Sequence, residues 1–434
     1  MLKGSYFAVD ATPLTGTPLA YDIQIAVDDP LYLKGFIFLP EGKDPVVICS
    51  LDWIGIACES RERLKKSIAS SVGTKKDNVT VHTTHFHDAP HSNESAREVL
   101  MRFGKDSLAE QYYDPKLLER LCENAAKACR EAASRARAIT HIGYGKGKVK
   151  EVASNRRIVG EDGKIKYTRY SSCKDPLVRA IPEGLIDPYL DLITFWSDDL
   201  LLASVSYYAT HPMSYYRTAM CSSDFVGMAR NMFSETVTRA PHIYFNGAGG
   251  NITAGKYNDG EKKNRFDLAN RLLSGMKEAW DSTAKKPVES FCYTTDLLRL
   301  PIDERFGKEE CLNILKNPSS EERDLLSASR KLAWYEWCDQ NPYIAVSALS
   351  INDVKILHMP GELFIEYQLY AEEKYPEYKV CMAAYGEYGT SYIGTKKSYF
   401  EGGYETGPKV TKVAEDSEPL IKECIDRLMK KDCS

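Results

Sequence analysis

Four of the eight histidines in this 434-residue chain fall within ten residues, in Val81-His82-Thr83-Thr84-His85-Phe86-His87-Asp88-Ala89-Pro90-His91. A fifth, His211, sits in Ala209-Thr210-His211-Pro212. Histidine is the commonest side-chain ligand for zinc. A hydrolytic zinc site typically takes three protein ligands and leaves a position open for water. Side chains alternate along a strand with period two, so an H-x-H pair at a strand end puts both rings on one face. His85 and His87 are therefore the first candidates for chemistry. Glu362, in Met359-Pro360-Gly361-Glu362, is read as lying in the first turn of a helix, where the macrodipole favours negative charge. Two neutral imidazoles and one carboxylate form a recurrent hydrolytic zinc set. His82 falls on the other face of the strand and is assigned a packing role. His91 is read as either a support for the site or a loop residue.

These residues need elements that end beside one another. The run 45–51 reads as a buried strand, and 59–71 as an amphipathic helix with Leu64, Ile68 and Val72 on one stripe. A second strand over 78–83 delivers the histidine cluster, and a long helix rich in Ala, Glu, Lys and Arg covers 115–136. A β-hairpin is expected over 189–207, running into His211. A helix over 225–238 leads to the strand 242–245, which breaks in Asn246-Gly247-Ala248-Gly249-Gly250-Asn251. Helices follow over 262–283, twice between 308 and 336, and over 361–374, with strands at 354–358 and 380–385. Alternating strands and helices predict an α/β fold of mixed sheet layers flanked by helices. The site is expected at the carboxyl ends of the strands, where ligands of open α/β sheets gather. The whole of 1–434 is read as one catalytic domain, with a short helical tail after about 406.

Composition narrows the class. At 43% hydrophobic and 27% charged, the chain is ordinary for a globular protein. A formal charge of -4 gives no electrostatic footprint for nucleic acid or an anionic membrane surface. No stretch reaches about 18 apolar residues, and the start lacks the apolar run of a signal peptide, so a cytoplasmic location is expected. Twelve cysteines are scattered without a C-x-x-C pair, which disfavours a thiolate zinc site and fits reduced thiols. A homo-oligomer is compatible with all of this.

The order of short motifs resembles the catalytic domain of the neutral/alkaline ceramidase family. Thr84-His85-Phe86-His87-Asp88-Ala89-Pro90 matches its T-H-T-H-S-G-P segment, Asn155-Arg156 its N-R, and Thr210-His211-Pro212 its S/C-H-P. Pro360-Gly361-Glu362 matches its P-G-E, and Tyr392-Ile393-Gly394-Thr395, Tyr399 and Tyr404-Glu405 its tyrosine-rich segment. The resemblance implies zinc (Zn2+) bound by His85, His211, Glu362 and the phenol of Tyr392. It implies that His87 handles the proton of the zinc-activated water, and that Arg156 and Tyr404 contact the substrate or the developing oxyanion. Arg157, beside Arg156, leaves open which of the two points inward. Asp88 stands for the family's serine and would orient His87 or face solvent. Asp224 is assigned to capping the helix near Phe225.

Two departures qualify the match. Where the family has a serine long discussed as nucleophile, this chain has Thr253 in Gly250-Asn251-Ile252-Thr253-Ala254-Gly255. Its methyl group makes it a poorer nucleophile, so it is read as a positioning group. Residues after about 406 are expected to form only a short helical tail, not the C-terminal β-sandwich that the resemblance would add. The expected function is a zinc-dependent amidohydrolase of a small N-acylated substrate, either a ceramide-like lipid or a more polar N-acyl amine. The alternatives are a zinc esterase or lactonase, and an inactive metal- or ligand-binding homologue. A long-chain lipid substrate predicts an apolar groove beside the site.

Overall fold

A computed structural model describes residues 1–431. Val46–Leu51, apolar apart from Ser50, is buried along its whole length because Val47, Cys49 and Leu51 pack into one apolar cluster and Val46 and Ile48 into another. Tyr32–Pro40 runs antiparallel to it on one side and Val79–Thr83 parallel on the other. Strands covered in this way carry continuous rather than alternating hydrophobicity. Leu2–Asp10 and Arg137–Ala138 complete this five-stranded sheet. A second sheet orders His242–Asn246, Leu200–Tyr208, Tyr189–Ser197, His141–Lys148 and Ala284–Pro287, and a third orders Phe291–Leu298, Ile344–Ile351, Val354–His358 and Lys379–Ala383.

The three sheets share one device. Each has a single parallel pair at one edge, with every other pairing antiparallel. A parallel pair needs a crossover, and here it is a helix each time: Cys58–Val72, Asp224–Phe233 and Ile365–Lys374. The first of these buries Leu64, Ile68 and Ala69 and stops at Gly73, which takes the left-handed conformation at φ 69°. It packs against Pro115–Ser134, whose start has Pro at the first turn and Asp114 capping Lys116 N. The parallel edges meet at the centre of the molecule. Thr83 N donates to Tyr385 O at 3.1 Å and Ala384 N to Asn246 O at 3.0 Å. The last helix, Ser417–Lys430, buries Ile421, Cys424, Ile425, Leu428 and Met429 against the third sheet.

The chain is thus an α/β protein of mixed sheets flanked by helices, as expected. Two local expectations are corrected. The helix placed over 361–374 begins only at Ile365. Gly361 lies at φ 62°, and Glu362–Leu363 forms a short strand parallel to Tyr392–Ile393, so Glu362 stands in no helix. The tertiary bond from Glu362 N to Ser391 O, 2.9 Å, takes the place of a helical first turn. Among the described cysteines, Cys292 is disulfide-bonded while the remainder are free, so the reading of uniformly reduced thiols does not hold. No described helix is long and apolar enough to cross a membrane.

Candidate metal centre

Each crossover unit sends one acidic or imidazole side chain to a common point, and its neighbouring strand supplies the group that orients it. His85 follows the strand Val79–Thr83, and its Nδ1 lies 2.7 Å from Ile54 O, just past Val46–Leu51. His211 follows Leu200–Tyr208, and its Nδ1 lies 2.7 Å from Gly249 O, past His242–Asn246. Glu362 follows Val354–His358, and its Oε1 accepts from the Tyr388 hydroxyl at 3.0 Å, past Lys379–Ala383. Backbone carbonyls can only accept, so each imidazole carries its proton on Nδ1 and turns the Nε2 lone pair inward.

Those lone pairs converge. Glu362 Oε2 lies 3.3 Å from His85 Nε2 and 3.2 Å from His211 Nε2, with both partners about 98% buried. The Tyr392 hydroxyl is 3.2 Å from His211 Nε2. Glu362 Oε2 is buried and receives no hydrogen bond. Acceptors facing one another across about 3.3 Å repel unless a cation lies between them. A tetrahedron with bonds of about 2.0–2.1 Å has edges of about 3.3–3.4 Å, the scale of these separations. The donor set therefore fits zinc. His87 lies slightly further out: the ligand atoms of His85, His87 and His211 fall within 4.8 Å of one another.

Backbone strain concentrates at the same place. His85, Tyr385 and Ser391 all have positive φ, at 67°, 62° and 56°. Non-glycine residues adopt that region at a cost of about 1 kcal/mol or more, and such strain collects at functional sites. It also replaces the period-two argument. The strand stops at Thr83, and the left-handed turn at His85, rather than strand alternation, brings the His85 and His87 ring centroids to 4.9 Å.

Electrostatics follow from burial. Desolvation raises the Glu362 carboxyl, whereas positive charge at His85 and His211, such as protonation would supply, holds it well below the usual carboxylate range. Burial, then the nearby Arg156 guanidinium, push the His211 imidazole down to about 4. His87 is lowered well below its ordinary value by burial and by its two histidine neighbours. The Tyr392 phenol is raised well above its ordinary value by burial, which outweighs the pull of Arg156.

The remaining candidates divide. Arg156 turns inward: its Nη2 is 3.2 Å from the Tyr392 hydroxyl and 3.4 Å from His211 Nε2, and it also donates to Gly250 O. Arg157 turns away to Glu401 and Glu405, at 3.2 and 2.8 Å. Tyr404 is partly exposed, its ring 5.6 Å from that of Tyr392 and under the Arg156 guanidinium. Thr253 does not join the group. Its hydroxyl donates to Arg169 O at 2.9 Å, and its backbone pairs with Ser154, next to the Asn155-Arg156 segment. Asp88 neither orients His87 nor faces solvent; it clamps Arg217 N and the Thr218 hydroxyl at 2.8 Å each. Asp224 accepts from Phe225 N and also from Ser214 N, and pairs with Arg265. His82 is buried, with Nδ1 2.7 Å from Ala384 O. His91 packs beside the Tyr388 ring.

Several contacts around the site escape a reading of the sequence. Glu405, 1% exposed, lies 3.0 Å from Arg156 Nε and bridges both arginines. Tyr21 stacks on His87 and places its hydroxyl 3.4 Å from Nδ1, leaving the buried Nε2 without a partner. A cavity of about 650 Å³ opens over Glu362, Tyr388, Tyr392 and Tyr404. The apolar groove expected for a long-chain lipid is not what lines it. Its aliphatic contribution is Ala20, Leu326 and Val410, and the rest is tyrosine, arginine, lysine and other polar groups.

Fold and site together define an α/β protein with a metal-capable histidine–carboxylate centre where three sheets meet. The fold is that of the ceramidases. Across 98% of this chain it superposes on 74% of a ceramidase solved as a complex with C2, with TM-score 0.71 and 14% identity. Across the whole chain it superposes on 76% of the neutral ceramidase from Pseudomonas aeruginosa, with TM-score 0.70 and 14% identity. No family model matches the sequence, and no curated protein does.

Proposed function

We propose that the protein is a zinc-dependent amidohydrolase that cleaves the amide bond of an N-acylated substrate. The observation that carries this reading is the convergence of His85 Nε2, His211 Nε2 and the unpartnered Glu362 Oε2 at 3.2–3.3 Å. With the Tyr392 phenol, these residues would hold the ion. Zinc, when bound, supplies a Lewis acid for the amide carbonyl and lowers the pKa of water at the site. The likeness in fold to ceramidases favours an amide over an ester.

The chain's own residues divide the remaining work. His87 has a buried, unpartnered Nε2 and a ring fixed by Tyr21, and burial keeps it neutral. It therefore accepts the proton of the attacking water and returns it to the leaving amine. Arg156 presents Nη2 beside Tyr392 and His211, where negative charge develops on the carbonyl oxygen. Glu405 holds that guanidinium in place. Tyr404 forms the wall against which the substrate lies. Thr253 has its hydroxyl committed to a carbonyl and pairs with the short strand Ser154–Asn155 that leads into Arg156.

Plasma mass spectrometry on chelator-free protein, paired with turnover of an N-acyl panel, tests this. The expected result is about one zinc per chain, lost in Glu362→Gln. His87→Ala should retain zinc and lose about 10²–10⁴ in turnover. Absence of zinc after reconstitution, or full activity in both variants, overturns the reading.

A further inference from the structure

The cavity over the metal centre is lined by five cations, Arg217, Arg323, Arg330, Lys409 and Lys412, against two carboxylates, and of these cations Lys409 is paired with Asp324. Arg330 lines it with its Nε donating to the Tyr113 hydroxyl at 2.9 Å, and it makes no ion pair among the described residues. Lys412 lines it too and is 92% buried, again with no ion pair among the described residues. Arg217 is more exposed and its guanidinium lies over the rings of Tyr21 and Tyr216, making no ion pair among the described residues, although its backbone N–H donates to Asp88. The acidic groups on the same wall are Glu322, which takes the Tyr112 hydroxyl, and Glu362 itself.

Burying unpaired cations costs several kcal/mol unless something compensates them. Burial and the neighbouring Arg330 charge already push the Lys412 ammonium down to about 7. A long hydrocarbon chain placed here would desolvate these groups and find little aliphatic surface in return. An anion would satisfy them, because guanidinium and ammonium donors form their strongest hydrogen bonds with carboxylate or phosphate oxygens.

We propose that the substrate is a polar N-acyl compound bearing a carboxylate or phosphate, received by Arg330 and Lys412, with Arg217 drawing it into the cavity. This rests on the amidohydrolase reading for the bond that is cut, but the anion site stands on its own lining. Such a group fixes the amide over the metal centre from a distance, so that binding to a remote part of the substrate serves the orientation of the reacting atoms.

The test compares matched pairs: an N-acetyl amino acid against its carboxamide, and an N-acetyl amino sugar phosphate against the free sugar. Wild-type kcat/KM should favour the charged member of at least one pair by about tenfold or more, chiefly through KM. The pair that responds identifies which anion is meant. In Arg330→Gln and Lys412→Gln that preference should fall by about tenfold, towards parity, as expected for the loss of one charge-assisted hydrogen bond. Zinc content should stay at the wild-type level, which separates this loss from misfolding. Equal or better use of the neutral members, or a preference that survives both substitutions, overturns the anion site while leaving the amidohydrolase reading intact. If no amide is cut, saturable binding of the charged probes by calorimetry, weakened in both variants, keeps the anion site and removes the amidohydrolase reading. Absence of both turnover and binding overturns both.

Discussion

Gly250→Ala probes the junction that sets Glu362. A Cβ at this position would lie 2.3 Å from Glu362 O, 2.9 Å from Glu362 C and 2.9 Å from Leu363 O. Ordinary contact begins at 3.4 Å, so the glycine loop and the Glu362–Leu363 strand must part by about 1 Å. They are held together by Gly250 N donating to Leu363 O at 2.8 Å, and Gly250 O receives Arg156. Overpacking of this kind costs about 1–3 kcal/mol. With about 2.1 cal/mol/K of unfolding entropy for each of roughly 430 residues, that lowers Tm by only about 1–3 °C. Metal affinity should move further, because shifting the support of a ligand typically costs about 10- to 100-fold. The assay is zinc affinity by competition with a chromophoric chelator, alongside melting with and without zinc. The added stabilisation from zinc should shrink as affinity falls. Gly307→Ala is the control, since its nearest neighbour would be Glu304 O at an unstrained 3.5 Å. Zinc affinity within twofold of wild type, together with an unchanged Tm, would refute the claim that this backbone approach positions Glu362.

Two further outcomes follow from hydroxyl and carboxyl placement. Thr253→Ala should keep turnover within about tenfold, because the hydroxyl serves Arg169 O; a loss of about 10³ or more in steady-state kcat would make Thr253 the nucleophile instead. Asp191→Asn addresses pH, since burial raises the Asp191 carboxyl to about 7 although Lys146 lies 3.8 Å away. An acid with a raised folded pKa lends its stability below its unfolded pKa, near 3.9, and loses it as pH rises towards about 7. Relative to Asp191→Asn, the wild type should therefore lose up to about 1.4 kcal/mol per pH unit across that window, read by urea unfolding at fixed pH steps. Parallel pH profiles for the two proteins would count against a protonated Asp191 in the native state.

What was legible in the sequence had a local cause. Val46–Leu51 announces itself because a strand buried on both faces must be apolar almost throughout, and Val79–Thr83 because its β-branched Val79, Thr80 and Val81 suit a strand. The hairpin into His211 was visible for a similar reason. Leu2–Asp10, Tyr32–Pro40 and Ile344–Ile351 went unread; the last mixes serine and alanine with larger residues and gives no clean period. Glu362 was placed in a helix because Pro360 mimics a helix start. The deciding bond, Glu362 N to Ser391 O, joins residues far apart in the chain. Tyr388, Tyr21, Arg330 and Lys412 carry no motif at all, and Glu405 lies in one that assigns it no role. A single tyrosine or lysine has the same local signature whether it faces solvent or a carboxylate, and only the fold tells the two apart.

The repeated crossover unit explains why histidines sit at strand ends in this chain. A parallel pair aligns two carboxyl ends side by side, so one strand can present a ligand while its neighbour presents the acceptor or donor that fixes it. In the first unit the ligand follows the second strand, and in the other two it follows the first. The device is therefore a geometric solution rather than a copied sequence, and the segments Thr84-His85 and Thr210-His211-Pro212 share only the Thr-His dipeptide. It also shows why the site is rigid. Displacing any one of the three side chains requires moving a sheet edge that is hydrogen-bonded to the next, through Thr83 N to Tyr385 O and Ala384 N to Asn246 O. Such a frame sets Glu362 Oε2 3.2–3.3 Å from the two Nε2 atoms, the preorganised donor set that the proposed metal site requires.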